Sequence, residues 1–167
     1  MKRLLMLMFF IPVLSFSVFS QITKTQAMFL YNFSRLIKWP EVNTQGDFIF
    51  GVLGNQEVYN DLVAITTGKK VGTQSITVKL FKDLNQITFC HVLFVANNKL
   101  EQFDDIVSRV QNKSSLIVTE KKGMLHSGST IDFVIAENKL RYMVSEENAR
   151  KNNLVLSRNL QDMAFTD

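Results

Sequence analysis

The sequence predicts a single α/β domain of three layers, in which a mostly parallel sheet carries a C-terminal antiparallel hairpin at its edge. Three observations predict it. Apolar segments of strand length alternate with amphipathic segments of helix length along the middle of the chain. One of the strands, Cys90-His-Val-Leu-Phe-Val-Ala96, is apolar almost throughout, as a central parallel strand covered on both faces must be. The segments Thr130–Ala136 and Lys139–Ser145 are separated only by Glu137-Asn138, a gap that suits a hairpin in which Asn138 tolerates positive φ. At 167 residues, 46% hydrophobic and 20% charged, the chain has the composition of one folded domain, and it contains neither an internal repeat nor a low-complexity linker.

Residues 1–20, MKRLLMLMFFIPVLSFSVFS, read as an export signal. Lys2 and Arg3 precede an apolar run, and Val18 and Ser20 occupy the small-residue positions before a cut that leaves Gln21 first. The alternative is an uncleaved anchor, which Pro12 and the serines disfavour. The mature domain is then residues 21–167, not membrane-spanning, in the periplasm. Without Lys2 and Arg3 the formal charge falls from +4 to +2, so the basicity is partly a targeting feature and gives nucleic acid no support as a partner.

Each element has its own signal. Thr23 followed by Gln26 forms a capping-box pattern, so a helix is expected to start there. Ala27, Leu30, Phe33 and Ile37 recur at helical spacing, with Phe29 and Leu36 widening the stripe and Thr25, Asn32, Arg35 and Lys38 opposite. From Ala27 to Trp39 such a helix spans roughly 20 Å at about 1.5 Å per residue, too short for a bilayer, and Pro40 ends it. Asp47–Gly54 is a strand entering a glycine turn, and Asn55–Thr66 a helix with Val58, Leu62 and Ile65 on one face. Ser75–Phe81 alternates as a half-solvated strand, Leu100–Val110 is helical, and Ser115–Thr119 is a short buried strand. Ser145 caps a helix from Glu146 to Asn152.

Catalytic patterns are missing from this layout. The turn Gly51-Val-Leu-Gly54-Asn-Gln lies where an α/β protein would hold a phosphate, but GxGxxG and GxxxxGK[ST] are both absent. Cys90 and His91 are adjacent on a strand and point to opposite faces, which leaves no metal site. No nucleophile elbow is present, and a hydrolase would have to rest on Cys90 or a serine. No cofactor is expected. Cys90 is the only cysteine, so it is either a buried inert thiol or a bridge between chains in a homodimer.

Taken in order, AMFLYNFSRLIKWP, FGVLGNQEVYNDL, GKKVGTQSITV, CHVLFVA and IDFVIAENKLRYMVSEENARKNNLVLSRNLQDMA span nearly the whole mature chain. Together these blocks resemble the YfiR-like family of periplasmic regulators. That resemblance implies a compact α/β domain without catalysis that restrains the periplasmic sensor part of a membrane-bound diguanylate cyclase, or of another membrane sensor such as a histidine kinase. Cyclic-di-GMP is then made on the cytoplasmic side. The chain departs from the characterised pattern in giving Cys90 no internal partner, which removes the basis for redox control through internal disulfides.

Two binding surfaces follow as expectations. Arg35, Lys38 and Trp39, at the end of the first helix, are candidate contacts for the membrane-bound sensor. Gly54, Asn55, Asn97, Asn98, Thr119 and Glu120 should gather at the carboxyl ends of the parallel strands, where a crevice could hold a small ligand such as a cell-wall fragment.

Overall fold

A computed structural model of the protein describes residues 16–166, with side chains from Gln21 onward. The chain opens with helix α1 (Phe16–Leu36) and a two-residue strand β1 (Ile37–Lys38). Strand β2 (Phe48–Leu53), helix α2 (Gln56–Thr66), and strands β3 (Lys70–Val71) and β4 (Gln74–Phe81) follow. Then come β5 (Val92–Val95), α3 (Phe103–Val110), β6 (Leu116–Thr119), and the hairpin β7 (Ile131–Ala136) and β8 (Lys139–Val144). The chain finishes with α4 (Glu146–Lys151), β9 (Val155–Leu156) and α5 (Arg158–Asp162).

Seven strands form one sheet in the order β3-β4-β2-β5-β6-β7-β8. The β2·β4, β2·β5, β5·β6 and β6·β7 pairs are parallel, and antiparallel pairs close both ends. The expected edge hairpin is present, and Glu137 and Asn138 both take positive φ, +52° and +58°, as a two-residue primed turn requires.

Alternation along the strands divides the core. On one face Phe50, Val52, Val92 and Phe94 pack against Leu30 and Phe33 of α1 and Val58 and Leu62 of α2. On the other, Leu53, Cys90, Leu93 and Val95 pack against Phe103, Ile106 and Val110 of α3. These are the three layers.

The first helix differs from its expected bounds at both ends. The expected export segment lies outside the described residues as far as residue 15; residues 16–20 are helical and continuous with α1. Thr23 and Gln26 therefore sit within the helix, where backbone donors find carbonyls one turn back and no capping box is needed. Their freed side chains bond other elements: Thr23 Oγ1 donates to Asp61 (2.7 Å) and Gln26 Nε2 to Glu120 (3.2 Å).

At the other end the helix stops at Leu36, earlier than the expected Trp39, because the next residues pair with the C-terminal part of the chain. Ile37 lies opposite Leu156 and Lys38 opposite Val155 in a separate two-stranded sheet, and Ser157 N–H donates to the Leu36 carbonyl at 2.9 Å.

Candidate functional site

Extended backbone after Leu36 decides how the three expected partner contacts are presented. Period-two alternation buries Ile37, exposes Lys38 and buries Trp39. Trp39 is 7% exposed and packs edge-on against Phe48, with ring centroids 5.0 Å apart, so it is a core residue. Arg35 and Lys38 present their side chains to solvent. The Arg35 guanidinium lies 5.8 Å from the Tyr31 ring, whose other neighbour is the Lys69 ammonium at 4.7 Å.

Beside Arg35 the surface falls into a groove of about 350 Å³ between α1 and β8, lined by Phe29, Phe33, Leu36, Tyr142 and Met163. Phe29 and Phe33 lie 5.8 Å apart, and both meet Tyr142 edge-on, at 5.5 and 4.9 Å. The Tyr142 hydroxyl is fixed by donation to the Leu160 carbonyl at 2.9 Å. This groove was not legible in the sequence, because it depends on the C-terminal segment returning beside β8.

The six residues of the expected crevice do come together at the carboxyl ends of β2, β5 and β6, but they largely occupy one another. Gly54 has φ +85°, and a Cβ there would lie 2.6 Å from both Asn98 Oδ1 and Lys99 Cγ, so glycine allows that approach. Asn98 Nδ2 donates to the Gly54 carbonyl (3.2 Å), and Asn55 caps α2 through the Glu57 and Val58 amides. Glu120 accepts from the Asn97 amide (2.9 Å) and from Gln26. Gln26 is 2% exposed, and its Oε1 has no hydrogen-bond partner among the described residues.

Thr119 belongs to a polar cluster that the sequence did not reveal. Asp132, fully buried on β7, accepts from Thr119 Oγ1 (2.6 Å), Ser129 Oγ, and the amides of Met124 (2.7 Å) and Leu125 (3.1 Å). The two amides lie in the loop between β6 and β7, so the carboxylate pins that loop onto the sheet.

Cys90 and His91 point to opposite faces, as expected for neighbours at the entry to a strand. The Cys90 side chain is 0% exposed, and burial pushes its thiol pKa up to about 12. The thiol is thus protonated and sealed, and a bridge to a second chain would require the domain to open.

His91 Nδ1 accepts the Ile49 amide hydrogen (2.9 Å), so the ring proton sits on Nε2, which donates to the Asn43 carbonyl at 2.7 Å. Burial holds its pKa below the ordinary histidine value, against the smaller opposing effect of the Asn43 carbonyl. Protonating Nδ1 would turn an acceptor into a donor facing another donor. Above about pH 6.5 the residue is neutral in both folded and unfolded chains, so the penalty is absent. As pH falls below that value, the unfolded chain takes up a proton that the native one resists, and stability declines. The urea midpoint is expected to fall between about pH 7.5 and about pH 5, with a shallower decline in His91→Asn. Equal slopes in the two proteins would contradict this assignment.

Among the described residues no helix is long and apolar enough to cross a membrane. No curated protein matches the chain. A family model described as YfiR/HmsC-like matches residues 23–164, from the middle of α1 to just beyond α5, and so takes in every strand of both sheets. The chain therefore belongs to the YfiR/HmsC-like family, a regulatory, non-catalytic family of the periplasm.

Proposed function

We propose that this domain, after export, binds the periplasmic part of a membrane-bound signalling protein, a diguanylate cyclase or a sensor kinase, and holds it inactive until an envelope signal releases it. The observation that carries the reading, beside the family, is the exposed Arg35 bordering an open apolar groove whose aromatic lining is rigidly packed, with Lys38 exposed three residues further along the chain. Such a surface combines an apolar anchor with a cationic rim, the arrangement that gives protein interfaces both affinity and orientation. Regulation then needs no chemistry in this domain, only a difference in affinity between two states of the partner.

The experiment is capture of detergent-solubilised membrane proteins on the immobilised domain. A sensor cyclase or kinase is expected on the unaltered protein, with roughly tenfold less on Arg35→Glu, since a reversed charge at an interface costs on the order of 1–3 kcal/mol. Equal recovery on a correctly folded Arg35→Glu protein would refute the role of this face. Recovery of no membrane sensor would refute the reading itself.

A second reading, a small-ligand site at the Gly54–Glu120 crevice, is favoured by Gln26 Oε1, a buried acceptor without a donor beside the Glu120 carboxylate. A ligand carrying an N–H or O–H donor would satisfy it, and a set of amine-bearing wall fragments should then raise the melting temperature. A flat response would sink this reading.

A further inference from the structure

At β8 the sheet leaves backbone polar groups open beside apolar surface. The two-residue turn makes Ala136 and Lys139 a hydrogen-bonded pair, so residues 139, 141 and 143 face β7 while Leu140, Tyr142 and Val144 turn their N–H and C=O groups outward. Two hydrogen bonds agree with that phase: Ser145 N–H donates inward to the Thr130 carbonyl (2.9 Å), and Phe165 N–H donates from outside to the Tyr142 carbonyl (2.7 Å). Among the described residues, the bond from Phe165 is the one backbone hydrogen bond to that outer edge. The groove between α1 and β8 adjoins it and shares Phe29, Tyr142 and Met163 with a second depression, about 610 Å³, running along β8 from its hairpin turn.

We infer that the open edge of β8 takes an extended peptide segment of a partner by strand addition, with apolar side chains at alternate positions in the groove, and that the chain's own residues 163–166 hold part of this seat. The C-terminal segment is the argument for that occupant. It lies beside the edge with Ala164 and Phe165 half-buried, and it makes the first rung of the ladder that an added strand would extend. The open groups recur every second residue, a spacing that an extended backbone matches and a helix does not. A second copy of this chain would bring the same C-terminal segment against the same edge, so both would have to move. The identity of the partner rests on the regulatory reading above; the chemistry of the edge does not.

The probe is a synthetic peptide of residues 161–167, Gln-Asp-Met-Ala-Phe-Thr-Asp, added to the full isotope-labelled chain. Phe165→Pro removes the N–H that holds the C-terminal segment to Tyr142, and so removes a competitor present at high effective concentration. Peptide binding should tighten roughly tenfold or more relative to the unaltered chain. Amide exchange at Leu140, Tyr142 and Val144 should slow when the peptide binds. Leu140→Pro removes an outward N–H without breaking the β7·β8 ladder, and should weaken peptide binding roughly tenfold with the circular dichroism spectrum retained.

Unchanged exchange at those three amides in Phe165→Pro with peptide would overturn the inference. So would a doubling of mass of Phe165→Pro alone in sedimentation, which would assign the edge to a second copy. In the membrane capture assay, equal recovery of a sensor by the unaltered chain, Phe165→Pro and Leu140→Pro overturns the strand-addition inference alone. Failure of the unaltered chain to recover any sensor overturns the regulatory reading alone, and the peptide result still decides the edge.

Discussion

Phe33→Ala is expected to destabilise the domain by about 3–5 kcal/mol, the range for removing a buried aromatic ring from a packed core. Phe33 is 1% exposed and is held between α1 and the sheet by Phe29 at 5.8 Å, Phe133 at 6.0 Å and the edge of Tyr142 at 4.9 Å. The loss has two parts, the transfer free energy of the ring and the cavity left where a helix and a two-sided sheet cannot collapse together. Since whole domains are stable by only about 5–15 kcal/mol, this one ring accounts for a large share. Urea denaturation measures it, and a loss under about 1 kcal/mol would mean that α1 is not docked as described. Because Phe33 also lines the groove, binding by this variant reports on folding and recognition together; Arg35→Glu separates them.

Asp132→Ala is expected to cost a similar amount, about 3–5 kcal/mol, for a different reason. The carboxylate is 0% exposed and serves four donors. Removing it leaves the Met124 and Leu125 amides without an acceptor, at about 1–3 kcal/mol each. Asp132→Asn should cost less, about 1–2 kcal/mol, because its oxygen can turn to the two amides while its NH2 faces the Thr119 and Ser129 hydroxyls, which can rotate to accept. The order alanine worse than asparagine is the diagnostic result. Equal losses would indicate that the negative charge, rather than the count of hydrogen bonds, holds the loop between β6 and β7.

These two residues also mark the limits of reading the sequence. Phe33 belongs to a stripe with Ala27 and Leu30 whose helical period is visible without any structure, and all three are buried where that period puts them. The continuous apolar run after Cys90 and the two-residue gap at Glu137-Asn138 likewise place the central strand and the edge hairpin. Asp132 carries no such signal. In Ile131-Asp-Phe-Val-Ile-Ala136 a lone carboxylate reads as the solvent side of an alternating strand, and only the return of Thr119, Ser129 and two loop amides makes its burial tolerable.

Trp39 fails in the same way at a smaller scale. Read as the last turn of a helix it is a terminal, accessible ring; read as the third residue of an extended run it points inward. What selects the second conformation is β9, which lies more than a hundred residues along the chain and is only two residues long, too short to show a period. The groove between α1 and β8 is hidden for the same physical reason, since it is assembled from a helix, a strand and a C-terminal segment distant in sequence.

The crevice at the carboxyl ends of the strands was legible as a location. Its six residues are neighbours, yet both oxygens of Glu120 and the Asn98 side-chain amide nitrogen are engaged by hydrogen bonds to Gln26, Asn97 and Gly54. The exposed cations and the groove keep their polar and apolar surface open, and for that reason the partner-binding reading ranks above the small-ligand one.

The central claim is that Arg35 lies within the contact with a membrane-bound sensor. Site-specific photo-crosslinking in intact cells tests it most directly, with the photoreactive residue at position 35 and, as a control, at exposed Asp104 on α3, across the sheet. The predicted result is an adduct between position 35 and a membrane signalling protein with a periplasmic segment, and no such adduct from position 104. Absence of that adduct at position 35, or equal labelling from both positions, would contradict the account.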